Sequence, residues 1–268
     1  MPESKKFTFH AIGTIESAAK YRYELPRQAV FSSPAAFLRW NDRKYAACAA
    51  DLVGFDRVWL IWVFDHNENA SWHTQVRVPV PAEKDSYSVF ATRSPYRPNP
   101  VGISAVELQE VTPDGLKLGG CDLLDGTAVL DVKPYIPDAD AFPEAKAGWR
   151  DKIEKNANNI KWSENAAKQA DFIFENGNFD LRNFCEVQLK YRPTDSSRKR
   201  VEKIPESENH LLHFRTWKII FAYDCADKEI NILEIISNYS ESDLVPGTPD
   251  KYGDKDLHRT FNKFFISK

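Results

Sequence analysis

The seven-residue run Val58-Trp59-Leu60-Ile61-Trp62-Val63-Phe64 constrains the fold of this chain more than any other stretch. Such a run offers no face to water, so it must be covered on both sides, as a central strand is. Shorter β-forming runs surround it. Phe7 to Ser17 reads as a first strand, and Tyr87 to Thr92, Val101 to Val111, Leu116 to Leu118 and Ala128 to Val132 read as others. Thr112-Pro113-Asp114-Gly115 and Asp125-Gly126 are turn signals between them. Arg43 to Gly54 carries helix-forming Ala at close intervals. Many short strands at this spacing predict an antiparallel barrel or sandwich.

After Phe142 the texture changes to Lys, Glu, Asn and Ala with scattered aromatics. Ser163 is a good N-cap for a helix ending at Gly177, and Asp180 opens a second helix to about Tyr191. A charged stretch from Arg192 to Glu208 follows, then a hairpin of Leu211 to Tyr223 and Glu229 to Ile236 across Asp224 to Lys228. The expected organisation is a mainly β first domain over 1–142, a linker over 143–164, a small α+β domain over 165–238, and a tail over 239–268 that orders only against a neighbour.

The formal charge of −3 excludes global basicity as a route to nucleic acid, so any RNA contact must come from local clusters. The densest cluster is Arg192, Arg198, Lys199, Arg200 and Lys203, set against Asp195 and Glu202; it reads equally as a phosphate contact or as a solvated loop. The four cysteines, Cys48, Cys121, Cys185 and Cys225, stand far apart, which predicts reduced, partly buried thiols and no metal site. Met1 to Lys6 is polar and no apolar run approaches the ~20 residues of a membrane span. The expectation is a cytoplasmic protein without signal peptide or membrane contact.

None of the eleven glycines forms a Gly-x-Gly, and neither a Gly-x-Ser-x-Gly elbow nor a His-Glu-x-x-His helix occurs. Rossmann hydride transfer, P-loop phosphoryl transfer and zincin hydrolysis are thereby disfavoured.

Two loops look chemical. In Ala91 to Gly102, three prolines in six residues stiffen the backbone, and Arg93 and Arg97 offer forked donors to carboxylate or phosphate; the same residues also suit a rigid connection with solvated arginines. In Gly119-Gly120-Cys121-Asp122-Leu123-Leu124-Asp125-Gly126-Thr127, paired glycines permit close backbone approach to a ligand and the acids suit ribose hydroxyls or a cation; an ordinary hairpin would look the same. Pro26-Arg27-Gln28 follows the first strand, and Asp65-His66-Asn67 follows the apolar run.

The run Val89 to Gly102, with Leu124-Asp125-Gly126-Thr127, Asp131-Val132-Lys133-Pro134-Tyr135-Ile136-Pro137, Pro26-Arg27-Gln28 and the block Gly54 to Phe64, closely resembles the TsaA/TrmO family over roughly residues 8–143. That resemblance implies a single β-barrel S-adenosylmethionine-binding domain followed by a smaller α+β domain. It implies a homodimeric methyltransferase acting at N6 of threonylcarbamoyladenosine, next to the anticodon of threonine tRNA. By matching position, Pro26, Arg27, Gln28, Asp65, His66, Arg93, Ile103, Gly119, Gly120, Cys121 and Asp122 border the cofactor. His66 and Asp65 are the candidate proton acceptors, Arg93 and Arg97 the candidates to orient a carboxylate of cofactor or substrate, and Arg198, Lys199 and Arg200 the candidate RNA contacts. The chain departs from the family in two places. Asp65-His66 stands where His-Gln is common, and the Asp-Pro-Arg-Pro motif of bacterial members has as its best counterpart Arg192 to Arg198, which keeps Pro193 and Arg198. A same-fold methyltransferase for another RNA or a small molecule, or a noncatalytic RNA-binding homologue, are the other readings.

Overall fold

The computed structural model describes residues 5–25, 28–29, 35–67, 71–78, 80, 82–153, 157–196 and 200–266. The chain divides into two compact units, Met1–Val78 with Lys84–Lys146, and Pro79–Glu83 with Ala147–Lys268.

The first unit contains β1 (Gly13–Ser17), β2 (Ala36–Trp40), α1 (Lys44–Ala49), β3 (Arg57–Val63), β4 (Gln75–Arg77), β5 (Ser86–Ser88), β6 (Val101–Thr112), β7 (Gly115–Leu118), β8 (Ala128–Pro134) and the short α2 (Pro137–Asp140). Six strands close an antiparallel barrel in the order β1-β2-β7-β6-β3-β8, with β8 pairing both β3 and β1; β4 and β5 form a separate ribbon. Alternate side chains fill the interior, among them Ile15, Leu38, Val58, Leu60, Val106, Leu116, Leu118 and Val129. The outer face of the apolar run is covered in part. Trp59 packs on Tyr135 and donates its indole N–H to Asp140 at the end of α2, 2.9 Å away.

The first strand is shorter than expected, because residues 5–10 are exposed and pairing starts at Gly13. Tyr87 to Thr92 is not one strand: β5 gives way to a 3-10 turn at Val89–Ala91, which the Thr92 hydroxyl closes by donating to the Val89 carbonyl.

The second unit holds β9 (Asn159–Trp162), α3 (Glu164–Gly177), α4 (Leu181–Leu189), β10 (Val201–Lys203), β11 (His210–Phe214), β12 (Trp217–Asp224), β13 (Glu229–Ser237) and α5 (Lys255–Phe265). Its sheet runs β10-β11-β12-β13-β9. The Ser163 hydroxyl caps α3 by accepting from the Ala166 N–H, and the Asp180 carboxylate caps α4 by accepting from that of Asn183. The expected linker 143–164 is corrected by β9, which pairs in parallel with β13. The expected tail 239–268 is corrected by α5, which docks within its own unit: Phe261 is fully buried and His258 stacks on Trp217 at 3.6 Å. Behind it the buried Lys255 ammonium donates to the Asp243 carbonyl and the Thr248 hydroxyl. Among the described residues no helix is long and apolar enough to cross a membrane. None of the four cysteines is in a disulfide; Cys121 and Cys185 are buried as expected, but Cys48 and Cys225 are exposed.

Candidate cofactor site at one end of the barrel

Because β3 and β6 pair antiparallel, the end of β3 lies beside the start of β6, with Trp62 opposite Gly102 and Leu60 opposite Ser104. The chain leaving β7 continues beside β6, where Gly119 N–H donates to the Glu107 carbonyl at 2.9 Å. It thereby carries Asp122 towards Ser104. Trp62 Nε1–H donates to Ser104 Oγ at 3.1 Å. Its ring occupies the space over Gly102, where a Cβ would stand 2.4 Å from Cε2.

The Asp122 carboxyl is the most deeply placed acid of this site. Burial pushes its pKa above the usual carboxylate range, opposed by the Ser104 hydroxyl, the Asp122 and Ala29 backbone N–H groups and the charge of Arg93. Its Oδ1 is buried and has no hydrogen-bond partner among the described residues. The neighbouring Cys121 thiol is pushed up to about 12 by burial and by the Asp122 charge, so it remains S–H and is no nucleophile at neutral pH. Gly119 serves its neighbour: the place of a Cβ is filled by Glu107. Gly120 is half-buried.

At the end of β3, Asp65–Asn67 forms a 3-10 turn. Asp65 Oδ1 accepts the His66 backbone N–H at 2.8 Å and lies 4.0 Å from His66 Nε2, whose side chain is 56% exposed. Arg22 Nη2 donates to the His66 carbonyl at 2.7 Å and to Asn67 Oδ1 at 2.6 Å. Asn67 is buried, and its Nδ2 has no partner among the described residues.

The proline loop separates its two arginines. Arg97 folds back, its Nη1 donating to the Thr92 and Ser94 carbonyls at 3.4 and 3.5 Å, whereas Arg93 is exposed and its charge acts on Asp122. Gln28 is half-buried beside Ala29, whose N–H favours the Asp122 carboxylate. Ile103 falls on the other face of β6: it is 51% exposed and paired with Ile61, while the next residue, Ser104, points inward. Arg200 lies in the second unit, half-buried, with its carbonyl accepting the His213 N–H at 2.8 Å. Pro26, Arg27, Arg198 and Lys199 lie outside the described residues. Sequence reasoning assigns none of Ser104, Trp62, Arg22 and Asn67 to this site; of these Asn67 carries a signal, as the third polar residue after the apolar strand. Among the described residues no cluster of three or more His, Cys, Asp or Glu could hold a metal.

The family model described as "tRNA-methyltransferase O N-terminal domain" matches residues 14–141, which contain the whole barrel from the second residue of β1 through β8. The tRNA (adenine(37)-N6)-methyltransferase of Escherichia coli K12 is 40% identical over 149 residues, 53% of this chain and 63% of that protein, so the chain covers under two thirds of that relative's length. A putative S-adenosylmethionine-dependent methyltransferase of Pseudomonas aeruginosa is 38% identical over 164 residues, 59% of this chain and 69% of the relative. The crystal structure of TrmO from P. aeruginosa superposes with a TM-score of 0.62 at 26% identity, covering 88% of this chain and all of that one. Barrel, loop motif and relatives agree, and the chain belongs to the TsaA/TrmO family.

Proposed function

We propose that this protein is an S-adenosylmethionine-dependent methyltransferase that methylates N6 of threonylcarbamoyladenosine next to the anticodon of threonine tRNA. The observation that carries the reading is the buried Asp122 Oδ1, without a partner among the described residues, beside the positive charge of Arg93. A zwitterionic cofactor with ribose hydroxyls fits that pair: Asp122 accepts from an ammonium or hydroxyl, and Arg93 faces a carboxylate. By family position, Gln28, Gly120 and Cys121, with Pro26 and Arg27, form the remaining border.

When bound, the cofactor supplies an electrophilic methyl group on a sulfonium. The protein's part is to hold the adenosine nitrogen in line, exclude water and accept a proton, since the lone pair of that nitrogen is delocalised. His66 is the acceptor in this reading, its backbone clamped by Arg22 and its ring beside Asp65. Arg200, with Arg198 and Lys199, contacts tRNA phosphate. A second copy of the chain covers the outer face of β3 and β6, where Ile61 pairs Ile103 and Val63 pairs Val101; Val101 is 39% exposed. The place of action is the cytoplasm.

The changed second-domain motif, Arg192 to Arg198, favours one other reading, the same chemistry on a different RNA or a small molecule. Mass spectrometry of tRNA nucleosides from cells with and without the gene decides: loss of the methylated nucleoside supports the proposal, and an unchanged nucleoside profile removes it.

A further inference from the structure

Ser104 sits on the inward side of β6, 4% exposed, between Gly102 and the fully buried Val106 and opposite Leu60. A hydroxyl in such a position is costly unless it is bonded. Its surroundings define the direction of every hydrogen in the chain of contacts. The Trp62 indole can only donate, so Ser104 Oγ accepts from it, and the hydroxyl hydrogen remains for an acceptor. The acceptor facing it is the Asp122 carboxyl, which when ionised can only accept. Gly102 makes the arrangement possible, since only a residue without Cβ lets the indole lie this close over the strand.

We infer that Ser104, oriented by Trp62, is a positioning residue that turns the Asp122 carboxylate so that Oδ1 is presented to a hydrogen-bond donor of the cofactor, an ammonium or ribose hydroxyl. The inference rests on the reading of Asp122 as a cofactor contact. Its second consequence is electrostatic. Burial raises the pKa of this carboxyl, and the groups that oppose it are the Ser104 hydroxyl, the Asp122 and Ala29 backbone N–H groups and Arg93. The other titratable neighbour, Cys121, stays protonated, and Glu107 packs against Gly119 further along the segment. Ser104 therefore works against the effect of burial and favours the charged form of this carboxyl, where a protonated one would lose its attraction for a cationic ligand.

Two measurements on the full chain test this. In the ligand-free protein, carbon-13 NMR of labelled aspartate carboxyls follows the titration of Asp122, assigned with Asp122→Asn. Ser104→Ala should raise its midpoint, Ser104→Thr should restore it, and Trp62→Phe, which keeps the ring but removes the donor, should raise it less. Calorimetric titration with S-adenosylmethionine from about pH 4 to 8 should show Ser104→Ala weakening affinity roughly ten-fold, with the acidic loss of binding moved to higher pH and Ser104→Thr close to wild type. An unmoved Asp122 midpoint in folded Ser104→Ala overturns the inference, as does unchanged cofactor affinity in that variant. A wild-type protein that shows the NMR shifts but binds no cofactor overturns instead the assignment of the site.

Discussion

The Trp62 ring lies where a side chain at Gly102 would be: an added Cβ would come within 2.4 Å of its Cε2 and 2.5 Å of its Cζ2. Gly102→Ala must therefore displace an indole that is also a hydrogen-bond donor to Ser104. The expected cost is about 1–3 kcal/mol, read as a lower urea midpoint with an unchanged slope. A midpoint equal to wild type would mean that the ring moves aside freely.

Arg93→Ala removes a side-chain charge that favours the Asp122 carboxylate, the only one among the described residues. Cofactor affinity should fall by about 1.5–3 kcal/mol in calorimetry, whereas Arg97→Ala should act mainly through the loop that Arg97 braces. Equal cofactor affinity for wild type and Arg93→Ala would remove Arg93 from the site.

The second unit should weaken in acid. Burial holds the His258 imidazole below its ordinary 6.5 despite the Asp254 carboxylate beside it. For Asp254 burial pushes up, but bonds from His258, Thr216 and Tyr239 outweigh it and leave the pKa lowered. Both shifts mean that the unfolded chain binds protons more readily than the folded one. Stability is thus full above about pH 6.5 and falls as His258 is forced to charge, then falls further as Asp254 is protonated. Thermal melts across this range should show the decline. His258→Gln should cost about 1–3 kcal/mol at neutral pH, by breaking the bonds to Thr216 and Ser237, and should flatten the upper part of the curve. A pH-independent wild-type melting point would contradict this.

Replacing Arg198, Lys199 and Arg200 together by Ala should lower tRNA affinity and flatten its log–log salt dependence by up to ~3 units, with cofactor affinity unchanged. An unaltered slope would make the stretch a solvated loop and move the search for RNA contacts to Arg22, Arg27 and Arg97.

Light scattering should give a dimer mass at micromolar concentration, and Ile103→Asp should shift it to monomer, because Ile103 faces outward on β6 and not into the barrel. A monomeric wild type would count against the paired outer faces.

Local signals were legible in the chain and distant ones were not. The caps at Ser163 and Asp180 could be read because a cap bonds within three residues. Asn159 to Trp162 could not be recognised as a strand, since four residues gain strand character only from β13, about seventy residues on. Leu211 to Tyr223 reads as one strand but is two: Arg215 turns the chain at φ 49°, a conformation that an arginine does not advertise. Arg93 and Arg97 look equivalent by spacing, and only the fold of the loop turns one onto its own backbone. Ser104 resembles any polar residue of an alternating strand until Trp62 and Asp122 are seen on either side of it.

The position of β8 between β1 and β3 has a consequence for synthesis on the ribosome. β1 and β3 emerge long before the strand that both of them need, so each keeps an unpaired edge while some sixty to more than a hundred further residues are added. Such edges invite pairing with other chains, and contacts this distant in sequence form slowly. The nascent barrel is most exposed to misassembly until residue 134 has left the exit tunnel, so a slowed passage through β6 and β7 would lengthen that interval and a chaperone that shields strand edges would act within it.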